Sequence, residues 1–168
     1  MFPACRSDDK EFSSLKGDEI GYGHARTVYK IIGCDDYVLK EAKEGKTAHN
    51  ENEAGFYYTS VIRNLTAVIN CIAEIRSVSK SGKYLIMEKL CTDLDEELKA
   101  YAKKPIEVDD KHSLNFGMTK DKKTIKCLDY GSVDLSKTIS GEVEIVPFQT
   151  DESVSNMRGF IDKVSDGL

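Results

Sequence analysis

Short runs of alternating apolar and polar residues dominate the first half of the chain. They are rich in β-branched and aromatic side chains, which is typical of strands. Four such runs are 27–32, 37–43 (YVLKEAK), 72–78 and 84–90. In the second run the alternation puts Val38 and Lys40 on one face of the strand and Leu39 on the other. The sequence SKSGK between the last two runs favours a hairpin turn.

One stretch between these strands has the helical period instead. The apolar residues of TAHNENEAGFYYTSVIRN recur at spacings of three and four, which predicts an amphipathic helix. The residues of this apolar stripe are Ala54, Tyr57, Tyr58 and Val61. A second helix is predicted to begin at Thr92 or Asp93, both suitable N-caps. It would run to Lys103, since Pro105 limits its extension.

The two ends of the chain carry weaker patterns. Residues 1–16 look like a loose leader that ends in a short strand. Residues 116–128 predict two strands around a lysine-rich turn, and the last part predicts one strand (EVEIVPF) and a short helix at 152–164. The complete order is mostly strands, with a helix inserted after the third. This order indicates an α+β fold with a mostly antiparallel sheet.

Composition narrows the class of protein. The 168 residues suit one domain or two small lobes, and 40% hydrophobic with 32% charged residues supports a folded core. A net charge of -5 argues against general nucleic-acid binding. The most apolar stretch, LTAVINCIAEI, is too short to span a membrane, and the five scattered cysteines include no CxxC pair. We expect a soluble cytoplasmic protein with no nucleic-acid or membrane partner.

Candidate chemistry begins with GYGHARTVYK, at the turn between the first two strands. Gly21 and Gly23 would let backbone N–H groups approach phosphate oxygens closely, and Val28 would cover a flat base. Glycines of this spacing are also common in ordinary hairpins, so the motif is weak by itself.

Lys40 stands in an otherwise apolar strand, and burial of its ammonium group requires a partner. Glu53 on the following helix is the preferred partner, because Tyr57 one turn later continues the inward face. Glu51 is the alternative partner. A lysine that simply faces solvent is the other interpretation of this position.

Two later segments supply further polar groups. In DDKHSLNFG, Asp110 and Asn115 are close enough in sequence for one loop to direct both at a common point. An aspartate can accept a proton from a hydroxyl, and an asparagine oxygen can bind Mg²⁺. His112, between them, would contact a phosphate or the loop itself. In CLDYGS, Asp129 follows an apolar strand and precedes Gly131, which is a suitable place for a metal ligand.

The order and spacing of these segments resemble the protein-kinase-like superfamily over residues 20–132. That family combines a glycine-rich loop, a strand lysine, a helix glutamate, a catalytic Asp with an Asn, and a metal-binding Asp. The resemblance implies an antiparallel N-lobe with one helix at 1–90 and a much reduced C-lobe at 91–168. YLIMEKL is similar to the strand that enters the interlobe hinge. Met87 would then be the gatekeeper, and backbone groups of Glu88 and Leu90 would face adenine.

Several features depart from the family pattern. Val108 and Asp109 stand where protein kinases have His-Arg, and the D-x-H-x-x-N loop is closer to that of aminoglycoside phosphotransferases. The metal motif reads DYG, no Ala-Pro-Glu motif follows, and few residues remain after Gly131 for a helical lobe. Similarly minimal kinase-like proteins occur among phage-encoded proteins and bacterial effectors, which would act in the host cytoplasm.

The resemblance implies phosphoryl transfer from ATP, with a protein Ser or Thr as the expected acceptor. The phosphates would contact the glycine turn and Lys40, which Glu53 orients. Asn115 and Asp129 would hold Mg²⁺, and Asp110 would orient the acceptor hydroxyl and act as base. The alternative is a pseudokinase-like module that binds a partner protein without catalysis. In either case a regulatory partner or a second copy of the chain could cover the truncated lobe.

Overall fold

The computed structural model describes residues 1–95, 98, 101–106, 108, 115–133, 135–136 and 143–147. The helices within this part of the chain are α1 (Asp9–Ser13), α2 (Ala48–Ile62) and α3 (Thr66–Cys71). The strands of the first half are β1 (Lys16–Tyr22), β2 (Arg26–Ile31), β3 (Cys34–Ala42), β4 (Ile75–Val78) and β5 (Tyr84–Glu88). Those of the second half are β6 (Lys103–Pro105), β7 (Phe116–Met118), β8 (Ile125–Cys127) and β9 (Ile145–Pro147).

Strands β1 to β5 form one antiparallel sheet in the order β1-β2-β3-β5-β4. Tight turns join its neighbours, and Gly33 and Gly82 occupy them with φ of 74° and 75°. A side chain is disfavoured in that left-handed region, which explains glycine at both turns. The predicted α+β class with an antiparallel sheet is confirmed.

The sheet separates two hydrophobic clusters. Val38 on β3 points to the inner face of the sheet, where it joins the main cluster that α2 covers. Leu39 lies on the opposite face, in a smaller group of buried residues that we call the outer cluster. This is the alternation that the sequence predicts. The main cluster continues into the second half of the chain, where it includes Phe116 and Tyr130. The division into two lobes at residue 90 stays a prediction.

The N-terminal leader is part of the fold, contrary to the prediction of a loose segment. Phe12 of α1 is fully buried in the outer cluster with Leu39 and Ile86. The backbone N–H of Arg6 donates to the carbonyl of Val78 at 2.7 Å. Burying one phenylalanine side chain stabilises a fold by about 1.5–3 kcal/mol. A helix as short as α1 shows no clear apolar period, so the sequence pattern could not reveal it.

Helix α2 forms as predicted, and three residues of the predicted stripe, Ala54, Tyr57 and Tyr58, lie in or against the main cluster. The fourth, Val61, is 46% exposed. The buried face also includes polar side chains, among them Glu53, whose carboxylate meets basic side chains of the sheet. A buried carboxylate without such partners would be costly.

The second half of the chain attaches to the sheet through the hairpin of β7 and β8. Met118 of this hairpin pairs with Cys91, just beyond β5, and Cys127 pairs with Ile72, just beyond α3. Helix α3 itself was not predicted. These two contacts bring the segment that follows β8 against the inner face of the sheet.

Three further sequence-based expectations concern the region after residue 91. The predicted second helix does not reach Lys103, because this residue lies in β6 and pairs with Pro147 of β9. The predicted strand near the end of the chain is present as β9. The predicted helix at 152–164 lies outside the described residues. Within the ranges that the structure describes, no helix is long and apolar enough to cross a membrane.

Candidate functional site

Lys40 and Glu53 form a buried ion pair between β3 and α2. The amino nitrogen of Lys40 lies 3.3 and 3.4 Å from the two carboxylate oxygens of Glu53. The same amino group donates to the carbonyl oxygen of Leu128 at 2.6 Å. Glu51, the alternative partner, instead forms a surface ion pair with Arg6. The geometry therefore assigns Glu53 as the partner of Lys40.

Arg26, the first residue of β2, belongs to the same network, and the sequence analysis missed it. Its guanidinium donates to the two oxygens of Glu53 at 2.5 and 3.0 Å and to Asp129 at 2.6 Å. The residue is only 6% exposed. In the pattern G-x-G-x-x-G that begins at Gly21, Arg26 stands in the place of the third glycine. That departure was the signal available in the sequence.

Asp129 lies at the edge of the network, with 38% of its side chain exposed. The backbone N–H of the next residue, Tyr130, donates to Glu53 at 3.0 Å and fixes the segment to α2. Gly131 is required at the following position, because a Cβ there would lie 2.9 Å from the carbonyl oxygen of His49. The DYG segment is therefore held in one place relative to α2.

Tyr130 anchors this segment in the main cluster. Its side chain is fully buried, and its hydroxyl donates to the carbonyl oxygen of Ala73 at 2.8 Å. Its ring packs against Phe56 of α2, with 5.9 Å between the ring centroids. Burial raises the pKa of the Tyr130 hydroxyl well above its ordinary value, so it remains a donor.

Asn115 lies directly before the hairpin of β7 and β8. Its backbone carbonyl accepts a hydrogen bond of 2.8 Å from the N–H of Leu128, which puts it beside the segment that carries Asp129. The side chain is buried, and its Nδ2 has no hydrogen-bond partner among the described residues. An unpaired buried amide is costly, so this side chain is a candidate for contact with a bound group.

The turn between β1 and β2 adjoins the network at Arg26. The N–H of Gly23 donates to the carbonyl of Arg26 at 2.8 Å, and Gly21 pairs with Val28 across the two strands. A Cβ on Gly21 would come no closer than 4.0 Å to that of Val28, and its φ is not in the left-handed region. The fold itself therefore does not require glycine at position 21. Val28 is half-buried against the main cluster.

The residues that the resemblance assigned to adenine lie at and beyond the end of β5. Met87 is buried in the main cluster. The carboxylate of Glu88 pairs with Lys126 of β8 at 2.8 Å. Leu90 packs closely on Gly117 of β7, where a Cβ would lie 2.5 Å from that of Leu90. Close packing of the hairpin therefore explains the glycine at position 117.

Two cavities lie near the charged network. One of about 690 Å³ adjoins Glu88 and Leu90. Another of about 520 Å³ lies beside the start of α2. Neither of these two has Lys40 or Asp129 in its wall.

The network balances two basic against two acidic side chains. Burial lowers the pKa of Lys40, and so does the positive charge of Arg26. The charges of Glu53 and Asp129 raise it, but the lowering effects are larger. Burial raises the pKa of Asp129, but the charges of Lys40 and Arg26 outweigh burial and hold it below the ordinary value. Burial also opposes the charge of Arg26, yet the two carboxylates raise its pKa. Arg26 and Asp129 are therefore both ionised at neutral pH.

The predicted general base has no described position. Asp110 and His112 lie outside the residues that the structure describes. Among the described ones, no three His, Cys, Asp or Glu side chains are grouped to hold a metal ion. Asn115 and Asp129 are the described candidates for metal ligands, and their roles stay predictions.

Comparison with models of known protein families and with curated proteins found no match for this chain.

Proposed function

We propose that this protein is an ATP-dependent phosphotransferase of the protein-kinase-like type, with a protein Ser or Thr as acceptor. The observation that carries the proposal is the contact of Lys40 with both Glu53 and the carbonyl oxygen of Leu128. One ammonium group joins a strand, a helix and the segment that leads to Asp129. Phosphoryl transfer depends mainly on such positioning and on charge neutralisation.

The proposed ATP site lies between the glycine turn and the segment after β8. Lys40 would exchange one of its three present contacts for phosphate oxygens. The unfilled space at Gly21 leaves room for their approach. Val28 and Met87 would supply apolar surface toward the base. Backbone groups of Glu88, the last residue of β5, and of Leu90 would face the edge of adenine. The N–H of Glu88 donates to the carbonyl of Glu74 at 2.8 Å, so its carbonyl is the group proposed to contact adenine.

Mg²⁺ is the metal that the described donors suit. The Asp129 carboxylate is partly exposed, and the amide of Asn115 is buried with an unpaired nitrogen. Rotation of that amide by half a turn would put its oxygen where the unpaired nitrogen now lies. Mg²⁺ commonly takes one or two protein oxygens and keeps several waters. When bound, it would neutralise charge on the phosphates.

The acceptor hydroxyl would be oriented by Asp110, which would also accept its proton. A protein hydroxyl, including one of this chain, is the proposed acceptor. The likeness of the D-x-H-x-x-N loop to that of aminoglycoside phosphotransferases makes a small-molecule hydroxyl the second class to assay.

A second candidate function is a pseudokinase-like module that binds a partner protein without catalysis. One observation favours it. Arg26 donates to Asp129 at 2.6 Å and so occupies a carboxylate that a metal ion would need. The two functions differ in whether Mg²⁺-dependent nucleotide binding leads to transfer.

The test is transfer of labelled γ-phosphate from ATP in the presence of Mg²⁺, to the chain itself, to a mixed protein substrate and to aminoglycosides. Asp129→Asn should abolish transfer. Asp121→Asn is the matched control, because it removes a carboxylate from the exposed turn of the β7–β8 hairpin. Equal transfer by wild type and Asp129→Asn would overturn the proposed site. Nucleotide binding without any transfer would favour the interaction module.

A further inference from the structure

The Arg26 side chain binds Oδ1 of Asp129, the carboxylate that the proposed function assigns to a metal ion. Its guanidinium makes four contacts, with both oxygens of Glu53, with Asn50 and with Oδ1 of Asp129. Glu53 would keep other partners without Arg26, because Lys40 and the backbone N–H of Tyr130 also donate to it. Among the carboxylates that Arg26 contacts, Asp129 is the partly exposed one, so this contact is the one that a ligand from solvent would meet.

All four N–H groups on the two terminal nitrogens of Arg26 are already in use, so none is free to bind a phosphate. A guanidinium has five N–H donors, and four of them are on the two terminal nitrogens. Each terminal nitrogen of Arg26 already makes two contacts. A phosphate could be bound by these nitrogens only if Asp129, Glu53 or Asn50 gave up its hydrogen bond.

We propose that Arg26 is an internal counter-ion that keeps divalent cations away from the Asp129 carboxylate. Its hydrogen bond to Asp129 must break when Mg²⁺ binds. This inference rests on the proposed function, in which Asp129 is a metal ligand. It adds a regulatory element at the same site, carried by the residue that follows the glycine turn. The backbone carbonyl of Arg26 accepts the N–H of Gly23 at 2.8 Å, so Arg26 lies directly beside the turn that would contact the phosphates.

The balance of charge predicts the effect of removing Arg26. With Arg26 present, the basic groups of Arg26 and Lys40 equal the acidic groups of Glu53 and Asp129. Removing Arg26 makes the charge of the network more negative by one unit beside the partly exposed Asp129. A positive charge within about 4 Å of a partly buried carboxylate competes strongly with a metal cation for that carboxylate. Removing it should therefore raise the affinity for a divalent ion.

The experiment uses Mn²⁺ alone as the probe, followed by its effect on water-proton relaxation, with no nucleotide present. Arg26→Gln should bind Mn²⁺ roughly tenfold more tightly than the wild type, or better. The gain should disappear in the double variant Arg26→Gln with Asp129→Asn. Arg6→Gln is the matched control, because it removes an arginine from a carboxylate pair at the surface and should bind like the wild type.

Arg26→Lys keeps the charge and the fold but cannot span Glu53 and Asp129 with a planar fork. This variant should bind Mn²⁺ with an affinity between those of wild type and Arg26→Gln. If Arg26→Gln does not fold, the comparison of Arg26→Lys with the wild type provides the test. A further measurement needs no substitution. In an NMR spectrum, the Nη2–H signal of Arg26 that reports its contact with Asp129 should shift when Mg²⁺ and an ATP analogue are added together.

The outcomes distinguish this inference from the proposed function. Folded Arg26 variants that bind Mn²⁺ no more tightly than the wild type would overturn the counter-ion role. If those same proteins still bind Mg²⁺ and nucleotide, the proposed function survives this result. Absence of any Mn²⁺ or Mg²⁺-nucleotide binding in the wild type and all variants would overturn both.

Discussion

The amino group of Lys40 donates a 2.6 Å hydrogen bond to the carbonyl oxygen of Leu128, which lies 88 residues further along the chain. This contact fixes the backbone directly before Asp129 to the middle of the sheet. Since Lys40 also pairs with Glu53, strand, helix and DYG segment form one hydrogen-bonded unit. Stability and ligand binding therefore need separate measurements at every position of the network.

Replacing Glu53 with Gln should be strongly destabilising. The change leaves Arg26 and Lys40 buried beside a neutral amide. Breaking a buried ion pair by removing one partner typically costs about 3–5 kcal/mol. Urea unfolding of the variant measures this loss.

Glu51→Gln is the control for that substitution, because Glu51 is on the same helix but pairs with the exposed side chain of Arg6. Loss of a surface pair should cost less than about 1 kcal/mol. Similar losses of stability for the two variants would contradict the central place of Glu53 in the network.

The Asp129 carboxylate should contribute a pH-dependent part of the stability in acid. Burial would raise its pKa, but Lys40 and Arg26 together lower it below the ordinary value of 3.8. A carboxyl group with a lowered pKa in the folded state stabilises the fold above its unfolded pKa. That contribution is lost as the pH falls through the folded pKa.

The wild type should therefore be more stable than Asp129→Asn at pH 7, and the difference should shrink as the pH falls below 3.8. Because Asp129 is partly exposed, solvent screening limits the difference at pH 7 to about 1 kcal/mol. Thermal unfolding of both proteins at a series of pH values measures it. A difference that stays constant into acid would show that the Asp129 charge does not contribute.

The sheet and its faces were predictable because alternation is a local property of each strand. Val38, Leu39 and Lys40 point as the pattern requires, and the choice of Glu53 over Glu51 followed from helical spacing. Helix α1 was missed because its burial depends on one residue, Phe12, and on a distant partner surface. A single apolar residue has no period.

Arg26 was missed for a different reason. The glycine pattern shows that Arg26 replaces a glycine, but it does not show that the arginine is buried, because its partners Glu53 and Asp129 are distant in sequence. Long-range contacts likewise explain why the polar residue Asn50 is buried on α2, since it contacts Arg26 and the carbonyls of Gly82 and Lys83. Buried polar networks are specified by tertiary structure, and periodicity does not report them.

The leader helix should be necessary for stability. Phe12→Ala removes a fully buried aromatic side chain from the outer cluster and should cost about 3–5 kcal/mol. Tyr22→Ala is the control, since Tyr22 is 82% exposed, and should change stability by less than about 0.5 kcal/mol. Chemical unfolding compares the two variants. A negligible effect of Phe12→Ala would mean that the leader does not pack as described.

Two glycines should respond differently to substitution by alanine. Gly131→Ala should destabilise the protein, because its Cβ would lie 2.9 Å from the backbone carbonyl of His49, which cannot simply rotate away. Gly21→Ala meets nothing closer than 4.0 Å and should leave the melting temperature nearly unchanged.

If the glycine turn contacts phosphates, Gly21→Ala should nevertheless weaken binding of an ATP analogue, since the added methyl group lies where the ligand would approach. Calorimetry and thermal unfolding on the same sample separate the two effects. Unchanged affinity in Gly21→Ala would remove the turn from the proposed site.

The most direct test of the nucleotide site is calorimetric titration with a non-hydrolysable ATP analogue, with and without Mg²⁺, of the wild type, Lys40→Met and Lys30→Met. Lys30→Met is the control, because Lys30 is an exposed lysine on the neighbouring strand with a distant partner, Asp18, at 3.8 Å. We predict Mg²⁺-dependent binding by wild type and Lys30→Met, and binding at least about tenfold weaker by folded Lys40→Met. No binding by the wild type under either condition, or equal binding by Lys40→Met, would contradict the nucleotide site.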